Sequence, residues 1–204
     1  AADFEYAWKR ALDPATAAGY AYQMYYLLNG QKANAGEVSV DEIGVKALDE
    51  KTLEVKLESP TPYFLQLTAF PCYFPVRKDI VEANPEEWAL NPETYISNGP
   101  FKMTEWTHND VLRLVKNENY YDAENVKIEE IEYVMIVEGS TAFSAFQSGE
   151  IDYTENVPAD QIVQLQEAQD ANFNIFPYIG TYFYCFNMND ELMKDVKVRE
   201  ALSL

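Results

Sequence analysis

The side chains that most often carry out catalysis are scarce in this sequence. It contains one histidine, His108, and two cysteines, Cys72 and Cys185, which are far apart and belong to no CxxC motif. A catalytic triad needs a histidine held between an acid and a nucleophile, and catalytic zinc needs several His or Cys ligands at short spacing. We therefore expect a surface-loop histidine, no metal and no cofactor. The cysteines are predicted to be buried free thiols, with a disulfide as the alternative.

Carboxylates are abundant, but they form no recognisable catalytic pattern. Glu129-Glu130 and Asp190-Glu191 lack the Asp-x-Asp-x-Asp-Gly rhythm of a calcium loop, so a solvated acidic face is predicted. None of the eight glycines forms a GxGxxG or GxxxxGK loop that could hold a phosphate. A carboxylate pair for glycoside hydrolysis stays open as a rival hypothesis. The residues favour a binding protein over an enzyme.

Charge and composition narrow the class of partner. The chain has 34 acidic and 15 basic residues, a net charge of −19. Nucleic-acid backbones and anionic membranes would repel it, so neither is an expected partner. No apolar run approaches the ~20 residues needed to cross a bilayer. The 15 Tyr, 11 Phe and 3 Trp suit a ligand groove as well as a core.

Periodicity predicts the elements that would position any site. Apolar residues at positions 4, 7, 8, 11 and 12 predict a first helix with Asp3 as its N-cap, and a second helix is predicted over 20–28. Alternation over 45–57 predicts a β-hairpin that turns at 49–52. The remaining predicted elements are a helix at 79–88, strands at 101–103, 111–115 and 131–137, helices at 140–148 and 159–168, strands at 173–178 and 181–187, and a helix from 195. The strand at 131–137 is predicted to be central in its sheet, because it is mostly apolar. These elements form a mixed α/β (α+β) pattern without repeats.

Several motifs, in this order, resemble the oligopeptide- and dipeptide-binding proteins of ABC importers, solute-binding protein family 5. They are Ala2–Pro14, Gly44–Asp49, Thr52–Val55, Pro60–Phe64, Phe74–Val76, Ser97–Lys102 with Glu105-Trp106, Lys116-Asn117 with Tyr120–Asp122, Gly149–Asp152 and Val196–Leu202. Together they extend over essentially all 204 residues. The resemblance implies an incomplete periplasmic-binding-protein type II-like fold. Residues 1–77 would be the latter part of an additional lobe, 78–179 a large part of one main lobe, and 180–204 the truncated start of the second.

The resemblance also implies five residues that contact a bound peptide: Tyr20, Asn156, Tyr178, Tyr182 and Phe183. Packing is the rival interpretation for each of them. The sequence departs from the family pattern at Phe183, where some relatives carry a hydroxyl. It departs again at Glu155, where some relatives carry an aromatic residue.

The function that the resemblance implies is that of an extracytoplasmic receptor, either a cell-surface lipoprotein or a periplasmic protein. It would bind oligopeptides through their backbone and deliver them to a membrane permease, without making or breaking a bond. The alternatives are a relative that binds nickel, haem or a sugar, and a surface interaction protein without a transport role. Because a sheet deprived of strands exposes an open edge, self-association through that edge is expected.

Overall fold

The computed structural model describes residues 1–204. The chain forms two compact units, Ala1–Ile136 (unit 1) and Val137–Leu204 (unit 2). Unit 1 contains four α-helices and five strands: α1 Ala2–Leu12, α2 Gly30–Asn34, β1 Val45–Ala47, β2 Leu53–Val55, α3 Phe64–Leu67, α4 Lys78–Ala83, β3 Phe101–Thr107, β4 Val111–Lys116 and β5 Glu130–Val134. Unit 2 contains α5 Gly139–Ser148, α6 Ala159–Glu167, α7 Glu191–Lys194 and α8 Val196–Ser203. No helix combines the length and apolar character needed to cross a membrane.

Helix α1 confirms the periodicity at the start of the chain. It buries Ala7, Trp8 and Leu12 on one face, as the 3.6-residue repeat requires. The predicted cap is wrong, because Asp3 lies within the first turn and Ala1 occupies the N-cap position without a side-chain bond. Asp3 still stabilises the helix, because a negative charge in the first turn interacts favourably with the helix dipole.

The core of unit 1 forms around two aromatic residues. The Trp8 indole N–H donates to the Tyr73 carbonyl at 2.8 Å, and the two rings pack edge to face with centroids 5.1 Å apart. The Tyr73 hydroxyl donates to the Gln23 carbonyl at 2.8 Å, so both polar tips are satisfied inside the core. Burial raises the pKa of Tyr73, which keeps this hydroxyl neutral and able to donate.

The predicted hairpin is confirmed as β1 and β2, which pair antiparallel with Val45 opposite Val55 and Ala47 opposite Leu53. The helix predicted over 20–28 is wrong. A short 3₁₀-helix covers Ala21–Met24, and the chain then bonds to the hairpin extension instead of continuing as a helix. The Leu28 N–H donates to the Lys56 carbonyl at 2.9 Å, a long-range bond that local periodicity does not reveal.

The second sheet of unit 1 has the order β3-β4-β5 with antiparallel pairing. Its register places Met103, Leu114 and Ile131 in one cross-strand row, and Glu105, Arg113 and Glu132 in a neighbouring row on the opposite face. Strand β5 was predicted to be central, but β4 is central and β5 lies at an edge. The outer edges of β3 and β5 have no strand partner within the chain, and self-association through such an edge stays a prediction.

Local signals predict α5, α6 and α8 of unit 2, whereas the short α7 was not predicted. Helix α5 ends at Gly149, whose φ of 79° is the left-handed conformation that glycine favours at this position. Its N-cap is Glu138 and not the predicted Ser140. Helix α6 begins directly after Pro158, and α8 is capped by Asp195, whose side chain accepts from the Lys197 N–H at 2.9 Å.

The two strands predicted at 173–178 and 181–187 do not form. Apart from turn bonds at the two ends, from the Phe173 N–H to the Asp170 carbonyl and from the Asp190 N–H to the Asn187 carbonyl, neither segment makes a backbone hydrogen bond, although both have the β-branched and aromatic composition of strands. A strand forms only where an adjacent strand satisfies its N–H and C=O groups, and no part of this chain does so here. The predicted lobe boundaries near 77 and 180 stay predictions.

One ion-pair network links α1 to the hairpin. The Glu5 carboxylate accepts from the Lys9 ammonium at 2.7 Å and from the Ala47 N–H at 2.8 Å, and Lys9 also reaches Asp41 at 3.1 Å. Burial raises the pKa of the Glu5 carboxyl, but its bonds to Lys9 and Ala47 outweigh that effect and hold the pKa below its ordinary value. The ionised Glu5 therefore contributes stability at neutral pH, and this contribution is lost as the pH falls through the lowered pKa.

The substitution Glu5→Gln is expected to lower the free energy of unfolding by about 1 kcal/mol at neutral pH. The difference from the parent chain should shrink as the pH falls below 4.5, the ordinary value from which this pKa is lowered, because the parent then loses the same charge. Urea unfolding followed by tryptophan fluorescence at neutral and acidic pH measures both effects. Glu54→Gln is the control, since Glu54 makes an exposed pair with Lys56 at 3.2 Å and should cost less than about 0.5 kcal/mol. Equal losses at both pH values would contradict the role of Glu5.

Candidate functional site

The residues that could do chemistry lie apart from one another. His108 is in the exposed turn between β3 and β4, with its ring centre 4.3 Å from that of Trp106. Both cysteines are free, as expected, but only Cys72 is partly buried, and Cys185 is exposed, so its predicted burial is wrong. No three His, Cys, Asp or Glu side chains lie close enough together to hold a metal ion.

Unit 1 has a charged groove of about 580 Å³ between α1 and α4. Its cations face partners within unit 1. Lys9 bonds Glu5 and Asp41, Lys78 lies 5.9 Å from the Tyr6 ring centre, and Arg10 lies at the same distance from that of Trp88. These contacts connect α1 to the segment that follows residue 77. The groove is therefore a contact between packed elements, in which each cation already has a carboxylate or an aromatic ring as its partner.

A second groove of about 590 Å³ covers the apolar face of the β3-β4-β5 sheet. It is lined by alternate strand residues, among them Phe101, Met103, Trp106, Leu112, Leu114 and Tyr133. The strand alternation in the sequence predicts this apolar face, but its shape depends on the cross-strand register. The lining contains no charged side chain, so the groove can bind by burial of apolar surface.

Of the predicted contact residues, Tyr20 is the one that belongs to unit 1. Its side chain is 57% exposed, and its ring packs against Phe70 at 5.2 Å and Tyr22 at 6.1 Å between centroids. Tyr20 ends a turn directly before the 3₁₀-helix at Ala21–Met24. An exposed tyrosine supported by two aromatic neighbours keeps its hydroxyl available to a ligand.

Asn156 lies in the loop between α5 and α6 of unit 2 and is exposed. Its Cβ is 3.4 Å from the position that a Cβ on Gly139 would occupy, so the loop packs against the first turn of α5. The Asn156 N–H donates to the Thr154 hydroxyl at 3.3 Å, while its side-chain amide has no hydrogen-bond partner. The amide is therefore free to bond a ligand with both its donor and its acceptor.

Tyr178, Tyr182 and Phe183 lie in the irregular segment 173–187, defined here as the aromatic segment. They are 93%, 85% and 70% exposed, so none of the three lies in the core of unit 2. The Tyr178 ring lies over Gly180, and Tyr182 packs edge to face with Tyr184 at 5.5 Å. No hydrogen bond or ring contact joins them to Asn156. The segment combines exposed aromatic rings with unpaired backbone groups, the two features that bind an extended peptide.

Comparison with known proteins gives a consistent result over the whole chain. The family model of bacterial extracellular solute-binding proteins, family 5 middle, matches residues 1–204. The oligopeptide-binding protein OppA of Bacillus subtilis is 42% identical over 208 residues, covering 100% of this chain and 38% of that protein. The probable deoxycholate-binding periplasmic protein YgiS of Escherichia coli is 36% identical over 207 residues, with the same two coverages.

The solved structure of Burkholderia pseudomallei OppA superimposes with a TM-score of 0.92 at 35% identity, and covers 98% of this chain and 40% of that one. The predicted mixed α/β class and the likeness to part of a type II periplasmic binding protein are confirmed. The chain spans about two fifths of the length of the relatives that it matches. Neither the geometry nor these likenesses test the five contact residues, which stay predictions.

Proposed function

Because this chain belongs to the bacterial extracellular solute-binding proteins of family 5, we propose that the complete protein is the extracytoplasmic receptor of an ABC importer. It binds oligopeptides through their backbone and delivers them to a membrane permease. Relatives that match the whole chain are named for oligopeptide or dipeptide binding, which supports this ligand class. The protein is periplasmic or held at the cell surface as a lipoprotein, and it catalyses no reaction.

The observation that carries the proposal is the match of all of this chain to relatives named for oligopeptide and dipeptide binding, and the aromatic segment is the part of the chain that we propose meets the peptide. Between residues 174 and 186 the segment's backbone N–H and C=O groups have no backbone partner, and the rings of Phe176, Tyr178, Tyr182, Phe183 and Tyr184 are exposed. An extended peptide can satisfy the backbone groups by strand-like pairing, while the rings cover the peptide side chains without selecting one of them. Affinity that arises from the peptide backbone tolerates many sequences, which is what a nutrient receptor requires.

The five predicted residues take complementary roles in this proposal. The hydroxyls of Tyr20, Tyr178 and Tyr182 and the free amide of Asn156 bond polar backbone atoms of the peptide. Phe183 supplies apolar surface only, because it lacks a hydroxyl. Affinity for peptide then depends on several moderate contacts, so the loss of one contact weakens binding without abolishing it.

The test is calorimetric titration of the complete protein with tri- to pentapeptides. Binding is expected, and Tyr182→Ala should weaken it about 10-fold, since a well-packed ring and a hydroxyl bond are lost together. Tyr121→Ala is the matched control, because Tyr121 is 90% exposed, lies in unit 1 and is not among the proposed contacts. Its affinity should equal that of the parent protein. Failure to bind any peptide would overturn the proposal.

A non-peptide solute is the second candidate ligand class. It is favoured by the 36% identity to YgiS, which is named for the binding of a bile acid. The apolar rings of the aromatic segment suit a steroid surface as well as a peptide side chain. Titration with deoxycholate under the same conditions separates the two classes, since a receptor of this second kind binds the steroid and no peptide.

A further inference from the structure

The sequence contains two Asn-Gly dipeptides, Asn29-Gly30 and Asn98-Gly99, and both lie in unit 1. Asparagine is chemically labile in front of glycine, because glycine has no side chain to keep its backbone nitrogen away from the preceding carboxamide. The two dipeptides share this chemistry, so a difference in their reactivity must arise from the fold. The structure gives them opposite environments.

Asn29 is held on both sides of the atoms that would react. Its side-chain amide donates to the Glu42 carbonyl at 3.0 Å, and the N–H of Gly30 donates to the Leu27 carbonyl at 2.8 Å. Gly30 is buried, and a Cβ on it would lie 2.8 Å from the Met24 carbonyl oxygen. The carboxamide therefore cannot turn toward the Gly30 nitrogen unless this part of unit 1 opens.

Asn98 is free in both respects. It is exposed, its carboxamide makes no hydrogen bond, and its own backbone N–H and C=O have no backbone partner. The N–H of Gly99 donates to the Ser97 hydroxyl at 3.0 Å, and this acceptor is a side chain that can rotate to another rotamer. The carboxamide of Asn98 can therefore approach the Gly99 nitrogen without the loss of any backbone–backbone hydrogen bond.

We propose that Asn98 is a site of spontaneous deamidation through a cyclic imide. The Gly99 nitrogen loses its proton to base and attacks Cγ of Asn98, the bond from Cγ to the side-chain nitrogen breaks, and ammonia leaves. Water then opens the ring at either of its carbonyl carbons and gives aspartate or isoaspartate. The net reaction converts one carboxamide and one water molecule into one carboxylate and one ammonium ion, so it needs no oxidant, no cofactor and no bound ligand.

Isoaspartate at position 98 is expected to disturb the start of β3. Its peptide bond runs through the former side chain, so the main chain gains one carbon atom between Ser97 and Gly99. The Gly99 carbonyl accepts from the buried Asn117 side chain at 2.8 Å, and the Pro100 carbonyl accepts from the Asn117 N–H at 2.9 Å. Displacement of this segment leaves buried polar groups of Asn117 without partners, which lowers the stability of unit 1.

The test is incubation of the complete protein at mildly alkaline pH, with digestion and mass spectrometry at successive times. The peptide that contains Asn98 should gain about 1 Da at least about 10-fold faster than the peptide that contains Asn29, because reaction at Asn29 first requires two hydrogen bonds to open. The rate at Asn98 should rise with pH, since base must remove the Gly99 proton. In concentrated urea the two rates should become similar, because unfolding frees Asn29 as well.

Two variants test the route of the reaction. A Cβ on Gly99 would meet only the Ser97 hydroxyl, at 3.2 Å, so Gly99→Ala leaves the fold intact while its methyl group shields the nitrogen. It should slow the modification by about 10-fold. Asn98→Gln moves the carboxamide one methylene further from the Gly99 nitrogen and should prevent the modification over the same time. Because Asn98 is exposed and unbonded, the glutamine variant should unfold at the urea concentration of the parent.

The outcomes decide each step separately. Equal rates at Asn29 and Asn98 in the folded protein, or no gain of mass at Asn98 while the protein in urea reacts, would overturn the proposed site. Modification that Gly99→Ala leaves unchanged would show direct hydrolysis and overturn the cyclic route. Asn98→Asp carries the new charge without the extra main-chain carbon, so an isoaspartate form as stable as this variant would overturn the effect on β3.

Discussion

Replacing Leu12 with alanine is expected to lower the free energy of unfolding by about 2 to 5 kcal/mol. Leu12 closes α1 and is 0% exposed within the core of unit 1. Its Cδ1 would lie 3.6 Å from a Cβ on Gly30, so the side chain fills the space that this glycine leaves beside it. Truncation removes apolar surface from the core and leaves a cavity that the neighbouring backbone can close only in part.

Urea unfolding followed by tryptophan fluorescence measures this effect, because all three tryptophans lie in unit 1 and Trp8 belongs to the same core as Leu12. The control is Leu48→Ala, which removes the same atoms from a side chain that is 56% exposed. Its expected change is within about 0.5 kcal/mol. Similar losses for the two variants would show that Leu12 does not occupy the core position described here.

The parts of the fold that follow from the sequence are those with a local cause. Helix α1 follows from apolar spacing, the end of α5 from Gly149, and the start of α6 from Pro158, and in each case a few neighbouring residues decide the conformation. The segment 20–28 has helical spacing too, but the bond from Leu28 to Lys56 competes with the helix and prevails. Such a bond joins residues 28 positions apart, so no window of local periodicity reveals it.

The sheets also show what local sequence cannot predict. Residues 173–187 have the composition of strands and form none, because a strand also needs a partner and composition does not supply one. The segment 131–137 is mostly apolar, which predicted a central strand, but β5 lies at an edge, since sheet order depends on pairing between distant segments. The predicted site shares this difficulty. Its five residues come from a family resemblance, and no motif of catalytic or metal-binding type marks them.

Gly44 gives the sharpest test of the long-range pairing that the local sequence does not reveal. Its N–H donates to the Leu28 carbonyl at 2.9 Å and its carbonyl accepts from the Lys56 N–H at 2.7 Å, so it lies between two chain segments. A Cβ at this position would lie 2.4 Å from the Lys56 carbonyl oxygen and 2.8 Å from the Leu28 Cβ. Both distances are far below van der Waals contact, and the first one involves backbone that cannot move without breaking the pairing.

The substitution Gly44→Ala is therefore expected to lower the free energy of unfolding by about 3 kcal/mol, the upper end of the cost of inserting one methyl group into a packed site. Gly19→Ala is the control, because a Cβ there would have no atom within 4 Å. That substitution should be neutral or stabilise the chain by up to about 1 kcal/mol through the unfolded state. If Gly44→Ala unfolded at the same urea concentration as Gly19→Ala, Gly44 would not lie in close contact with Leu28 and Lys56. The explanation given for the absent helix at 20–28 would then be wrong as well, since it depends on the same three segments.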